Sequence, residues 1–151
     1  MLLQDYISVL EGILINYDSY IYTILKGKEN YVLAIPKRRL YDRGTDANDK
    51  LIQPKYSRPT ISFKRKKGKR VSHVTLRDTG QLYRSFRLYR SGGAISFSVP
   101  NNEITTFLTQ HYSSNELFGF SRTDELKIFE LFIKPEIEKI IYPQTDIDID
   151  I

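Results

Sequence analysis

Apolar residues in the first part of the chain recur at spacings of three and four. Leu3, Ile7, Leu10, Leu14 and Tyr17 form one stripe, widened by Tyr6 and Ile13, and predict an N-terminal helix. Gly12 lies inside it and costs about 1 kcal/mol against alanine, which admits a break there. Tyr20, Ile21, Ile24 and Leu25 continue the apolar pattern until Lys26-Gly27-Lys28 punctuates it. Residues 30–35 suit strand or helix, because the run is short. Pro36 can start a helical turn carrying Arg38, Arg39, Leu40 and Tyr41, and Gly44 supplies a stop.

From Thr45 to about Arg70 the periodicity is lost. Asp46-Ala47-Asn48-Asp49 is turn chemistry, and Pro54 and Pro59 bracket Tyr56 and Ser57 in what should be extended backbone. Only Thr60, Ile61 and Phe63 look anchored. So long a stretch without structure is usually functional, and residues 45–70 read as a projecting arm or long loop. Next, Val71, Val74 and Leu76 precede Asp78-Thr79-Gly80, where Asp78 or Thr79 can cap a short helix holding Leu82 and Tyr83. Phe86 and Leu88 then alternate with Arg87, and Ile95, Phe97 and Val99 alternate with Ser96 and Ser98. Ser91-Gly92-Gly93 between them signals a β-hairpin. Beyond Pro100, Asn102 can cap a helix with Ile104, Phe107, Leu108 and His111. Ser121 with Asp124 and Glu125 opens another as a loose capping box, and Pro135 should kink or split that helix after Ile133.

Length and composition narrow the class. A chain of 151 residues suits one domain and can bury roughly 70% of its unfolded surface. Having no cysteine, it can carry no disulfide scaffold, thiolate nucleophile or Cys-ligated zinc, and two histidines leave little for a His-rich metal site. Apolar runs are too short to cross a membrane, and Asp5 and Glu11 without a basic leader argue against a signal peptide. No cofactor is expected.

Charge changes the picture more. The net charge is +5, yet residues 55–90 hold twelve Lys or Arg against Asp78 alone. Lys64, Arg65, Lys66, Lys67, Lys69 and Arg70 form a block interrupted only by Gly68. Self-repulsion should expose it. It reads as a solvated loop, as a phosphate-binding site with a salt slope near −5 at about −0.9 per phosphate, or as a dock for an acidic protein surface. Nothing resembles a recognition helix, zinc finger or RNA-stacking sheet.

Tyrosine, eleven residues with no tryptophan, leans toward assembly: Tyr41, Tyr56, Tyr83, Tyr89 and Tyr112 lie near charged or turn residues. Tyr41, Tyr56, Arg58, Thr60 and Phe63 are the candidate subunit contacts. Catalytic constellations are sparse. Glu125-Leu126-Lys127 contains the Glu-x-Lys of some metal-dependent nucleases, but in a helical segment, where it reads more simply as a charge pair. Asp42, Asp46 and Asp49 lack the ligand order of a calcium loop. In the tail, Ile147, Ile149 and Ile151 alternate with aspartates. It reads as a frayed acidic end, a strand that adds to a sheet edge, or acids that meet a neighbouring subunit's basic loop.

The order of the parts also carries a resemblance. Leu40-Tyr41-Asp42-Arg43-Gly44-Thr45-Asp46-Ala47-Asn48-Asp49-Lys50, then Tyr56-Ser57-Arg58-Pro59-Thr60-Ile61, then Leu76-Arg77-Asp78-Thr79-Gly80-Gln81-Leu82-Tyr83-Arg84-Ser85-Phe86 follow one another at matching distances. The first resembles the G-x-D-x-x-G-x stretch of bacteriophage virion-morphogenesis or tail-completion (head–tail connector) proteins, with Asp49 in place of the final glycine. The last resembles their L-x-x-T-G-x-L-x-x-S-[IF] signature, on Thr79, Gly80, Leu82, Ser85 and Phe86. The chain is also similar to proteins of phages and prophages of gut Bacteroides, crAss-like phages among them. The resemblance implies a non-enzymatic virion subunit that forms a ring with its own copies, beside portal, connector or tail proteins, with genomic DNA in the lumen.

The expected fold is therefore α+β in one domain over residues 1–151: N-terminal helices over 1–44, a long basic arm over 45–70, and a central β-hairpin in a small antiparallel sheet over 71–100. Helices over 101–142 and an acidic tail over 143–151 complete it. Gly80 would set the angle between arm and hairpin, and Leu82 and Phe86 would pin the hairpin to the helices. The alternatives are a free, non-specific nucleic-acid-binding accessory protein and a nuclease built around Glu125 and Lys127.

Overall fold

The computed structural model describes residues 3–100, 102–112 and 117–142. It is an α+β fold. The N-terminal helices are α1 (Leu3–Ile15), α2 (Tyr17–Gly27) and α3 (Glu29–Arg38). Gly12 does not break α1; the break falls at Asn16, between α1 and α2. Residues 30–35 are helical, because Val32, Leu33 and Pro36 fall on one face of α3 and are buried. A π-helical turn over Arg39–Arg43 follows, closed by Gly44 in the left-handed conformation (φ 63°).

The expected arm is corrected. Residues 45–70 fold back onto their own globule: Thr45 and Leu51 form an isolated antiparallel bridge, Thr45, Asp46 and Ile52 are buried, and Arg58–Lys66 is a helix, α4. Ser57 caps α4 by accepting a hydrogen bond from the Thr60 amide, and Pro59 sits in its first turn, where a missing N–H costs nothing. The extended backbone expected around Tyr56 and Ser57 is present but ends there. Phe63, expected to be anchored, is instead 54% exposed.

Downstream come the short helix α5 (Gln81–Ser85) and the hairpin of β1 (Arg87–Ser91) and β2 (Ala94–Ser98). Ser91 pairs with Ala94 around the two-residue Gly92-Gly93 turn, and Leu88 pairs with Phe97 on the inner face. The hairpin is tied to the helices by Glu29, whose carboxylate accepts from the Leu88 amide at 2.8 Å and pairs with Lys26 at 2.9 Å. Then follow α6 (Asn102–His111), α7 (Arg122–Ile128), a second π-helical turn (Phe129–Ile133) and α8 (Lys134–Ile141). Ser121 and Asp124 form the capping box of α7. Pro135 lacks an N–H and its ring crowds the carbonyl four residues back, at Leu131; the widened turn before it accommodates both effects.

The buried side chains form one cluster. It joins Ile21 and Leu25 of α2, Val32 and Leu33 of α3, Phe86, Leu88 and Phe97 around the hairpin, and Ile128 and Ile133. At its centre Phe86 stands 4.9 Å from Phe97 and 5.7 Å from Phe118, ring centroid to centroid. No helix among the described residues is long and apolar enough to cross a membrane. The tail at 143–151 lies outside the described residues.

Candidate assembly and nucleic-acid interface

The motif segments come together as one structural unit. Gly44 is packed so closely on the 73–74 backbone that a Cβ would stand 2.5 Å from the His73 ring and 2.8 Å from the Val74 carbonyl. Only glycine fits that approach and that φ. His73 Nε2 meets the Tyr41 carbonyl at 2.7 Å. Asp46 closes the following turn, its carboxylate accepting from the Asn48 amide at 2.9 Å and the Lys50 amide at 3.0 Å. Tyr56 and Tyr83 grip Thr75 from two sides: the Thr75 amide donates to the Tyr56 hydroxyl at 3.0 Å, and the Tyr83 hydroxyl donates to the Thr75 carbonyl.

The signature residues act structurally as well. Gly80 takes φ 83° at the start of α5, and the Thr79 hydroxyl accepts from the Gln81 amide at 3.3 Å. Leu82 is half-buried, the Ser85 hydroxyl donates to the Leu82 carbonyl at 2.7 Å, and Phe86 sits at the core centre. They set the entry into the hairpin.

The structure divides the six-cation block. Lys64 is buried; its ammonium donates to the Arg77 carbonyl at 3.0 Å and lies 4.8 Å from the centre of the Tyr56 ring. Lys69 pairs with Asp78, whose carboxyl is held below its usual range by that hydrogen bond. Arg70 stacks 4.7 Å from the centre of the Tyr41 ring and reaches Asp42 at 3.4 Å. These three fasten α4 and the loop after it to the motif unit. Arg65 and Lys66 are exposed and, with Arg58, have no ion-pair partner among the described residues. Lys67 is exposed too, 4.1 Å from the centre of the Phe63 ring. Of the candidate subunit contacts, Tyr41, Tyr56 and Thr60 are half-buried in their own chain, whereas Arg58 and Phe63 face outward.

Burial disfavours the phenolate of Tyr83 and raises its pKa well above the ordinary value of 10; Tyr112, half-buried near Tyr56, is pushed up to about 12. Above pH 10 the unfolded chain gives up these protons while the folded chain keeps them, so stability falls as pH rises. We expect Tyr83 alone to cost about 1.4 kcal/mol per pH unit between roughly pH 10 and 12. Urea titrations at pH 9 and 11 measure this, and Tyr83→Phe should flatten the dependence.

One buried pair was not foreseen as a pair. Arg39 and Asp124, with side chains 1% and 2% exposed, meet at 2.7 Å. Arg39 also donates from Nη1 to the Thr45 carbonyl at 2.6 Å and from Nη2 to the Gly119 carbonyl at 2.8 Å, while Asp124 also accepts from the Ser121 amide at 3.1 Å. The spacing of Arg39 from Val32 and Pro36, on the same helical face, was the available signal. Beside the pair lies an open hollow of about 670 Å³ lined by Ile35, Arg38, Leu126, Lys127 and Leu131 among others.

The candidate chemistry is dispersed. Asp42 faces Arg70, Asp49 faces Arg43 at 3.0 Å, and Asp46 serves backbone amides. Glu125 lies exposed on α7 and pairs with Arg122 at 3.5 Å. Among the described residues no cluster of three or more His, Cys, Asp or Glu is placed to hold a metal ion. His111 stacks on Phe107 with ring centroids 5.9 Å apart. The chain matches no protein-family model, no curated protein and no solved structure.

Proposed function

We propose that the protein is a non-enzymatic structural subunit of a tailed-bacteriophage virion. In this reading it is a connector, neck or tail-completion ring component that joins head and tail beside portal or tail proteins and lines the DNA path. The observation that carries this reading is the division of the basic block. The chain uses Lys64, Lys69 and Arg70 for its own packing and leaves Arg58, Arg65 and Lys66 exposed along α4, with Lys67 exposed just past its end, none of them in an ion pair among the described residues. The motif residues that resemble the connector family support it, because they build the unit on which that helix rests.

Replacing the four outward cations with Gln or Ser is expected to leave circular dichroism unchanged and to reduce incorporation into particles, or DNA retention, by tenfold or more. Replacing Lys64, Lys69 and Arg70 should instead lower thermal stability. Normal particles from the first variant would remove the assembly role.

The same outward cations favour one second reading, a free nucleic-acid-binding accessory protein. Four phosphate contacts give a salt slope of about −3.6 on duplex DNA, shallower than the whole block would give. Salt-dependent DNA binding by a stable monomer that never enters particles would select it.

A further inference from the structure

Three guanidinium groups converge where the chain passes from α4 to α5. The segment between those helices borders an open hollow of about 230 Å³ lined by Tyr41, Lys69, Arg70, Thr75, Arg77 and Thr79. The guanidinium groups of Arg70 and Arg77 lie 4.7 and 5.1 Å from the centre of the same Tyr41 ring. Arg77 also approaches Arg84: a Cβ placed on Gly80 would stand 3.7 Å from Arg77 Nε and 3.2 Å from Arg84 Nη1. Arg70 reaches Asp42 at 3.4 Å, and Lys69 takes Asp78, which also lines the hollow. Arg77 has no ion-pair partner among the described residues.

Like charges gathered this closely repel, and an aromatic ring shared by two of them offsets only part of the repulsion. Lys64 and Lys67 are within electrostatic reach of Asp78 as well. Lys64, Lys67, Lys69, Arg70, Arg77 and Arg84 thus surround Asp42 and Asp78, six cations against two carboxylates. No other acid is available nearby in sequence, since Asp78 is the only one between Asp49 and Glu103. The backbone is strained at the same place. Leu76, with its side chain in the core, is held at φ 54° between Thr75 and Arg77, a left-handed conformation that a branched side chain rarely takes and that clusters at ligand sites.

An anion with oxygens on several sides satisfies this arrangement. An arginine fork grips two phosphate oxygens at once, and Lys69 adds a point charge. The Thr79 hydroxyl accepts from the Gln81 amide, which leaves its own hydrogen to donate. The hollow is smaller than the roughly 300–1,000 Å³ of sites that enclose a whole organic ligand, so the phosphate enters and whatever carries it stays outside.

We propose that this hollow is a phosphate-binding site, with Arg77 as its principal ligand and Lys69, Arg70 and Thr79 around it. The site goes beyond the function proposed above, because a virion subunit and a free DNA-binding protein would both use it. Two sources share the chemistry. One is a backbone phosphate of nucleic acid, since the exposed Arg65, Lys66 and Lys67 lead directly to Gly68 at the edge of the hollow. The other is a free phosphate or pyrophosphate ion.

Arg77→Gln in the full-length protein is the test. The Arg77 side chain is exposed and its backbone carbonyl still receives Lys64, so the fold should persist, as the amide spectrum outside the site reports directly. Pyrophosphate should move the amide resonances of residues 68–80 saturably, and sodium chloride at matched ionic strength should not. Arg77→Gln should weaken pyrophosphate binding by about tenfold, the loss expected for one charged hydrogen-bonding group. If the source is nucleic acid, a short DNA duplex competes for the same amides and Arg77→Gln reduces the magnitude of its salt slope by about 0.9. If the source is a free ion, the duplex does not compete. The site is overturned by amide shifts that chloride reproduces, by no shift with pyrophosphate, or by undiminished binding in Arg77→Gln. Assembly enters none of these readouts, so failure here leaves the proposed function standing, and failure of particle incorporation leaves the site standing.

Discussion

Asp124→Ala is expected to lower folding stability by about 3–5 kcal/mol, enough to leave much of the protein unfolded at 37 °C. The pair it breaks is almost wholly out of water, and Arg39 would keep its charge with only two carbonyls to receive it. The capping box of α7 would go with it, since Asp124 accepts from the Ser121 amide. The cost arises mainly from stranding a buried guanidinium, so removing both charges should be far milder than removing one. Arg39→Met/Asp124→Leu is therefore expected to recover much of the loss, as apolar replacements of buried pairs often do. Urea denaturation of the two single variants and the double variant measures the coupling. A loss below 1 kcal/mol for Asp124→Ala would show that the pair does not organise the core.

Phe86→Ala should cost a comparable amount, about 3–5 kcal/mol. Phe86 is 1% exposed, and Tyr83, Phe97 and Phe118 surround it with centroids at 5.6, 4.9 and 5.7 Å. Truncation leaves a cavity among large rings that cannot easily collapse into it. Phe86 also joins α5 to β1, so the loss should appear as loosened hairpin amides in hydrogen exchange. Phe86→Leu should cost less than half as much, because it keeps most of the volume. Equal losses for Ala and Leu would mean that ring geometry matters more than filling space.

Local rules carried the fold where a residue's own chemistry decided its conformation. Gly92-Gly93 turns the hairpin, Ser121 and Asp124 cap α7, and the helix changes character before Pro135 as expected. Residues 30–35 could not be decided locally, because burial of Val32 and Leu33 against other elements selects the helix. The basic block was the largest departure. Its charge concealed a helix whose start was written in Ser57 and Pro59, and whose anchor, Lys64, buries its stem while its ammonium finds a carbonyl and a ring. Likewise the cations could be identified as a block, but which of them face outward depends on Tyr41, Tyr56, Arg77 and Asp78, and only the fold brings these within reach.

The Lys64 clamp has a thermodynamic corollary. A free peptide spanning nine residues would be mostly unwound in water, and any partner recognising it as a helix would have to supply the cost of ordering it. Here that ordering is done during folding, so recognition begins from a rigid, already spaced row of charges. Association through α4 should accordingly be fast and steeply dependent on ionic strength, while the helical content of the protein stays the same whether or not the partner is bound.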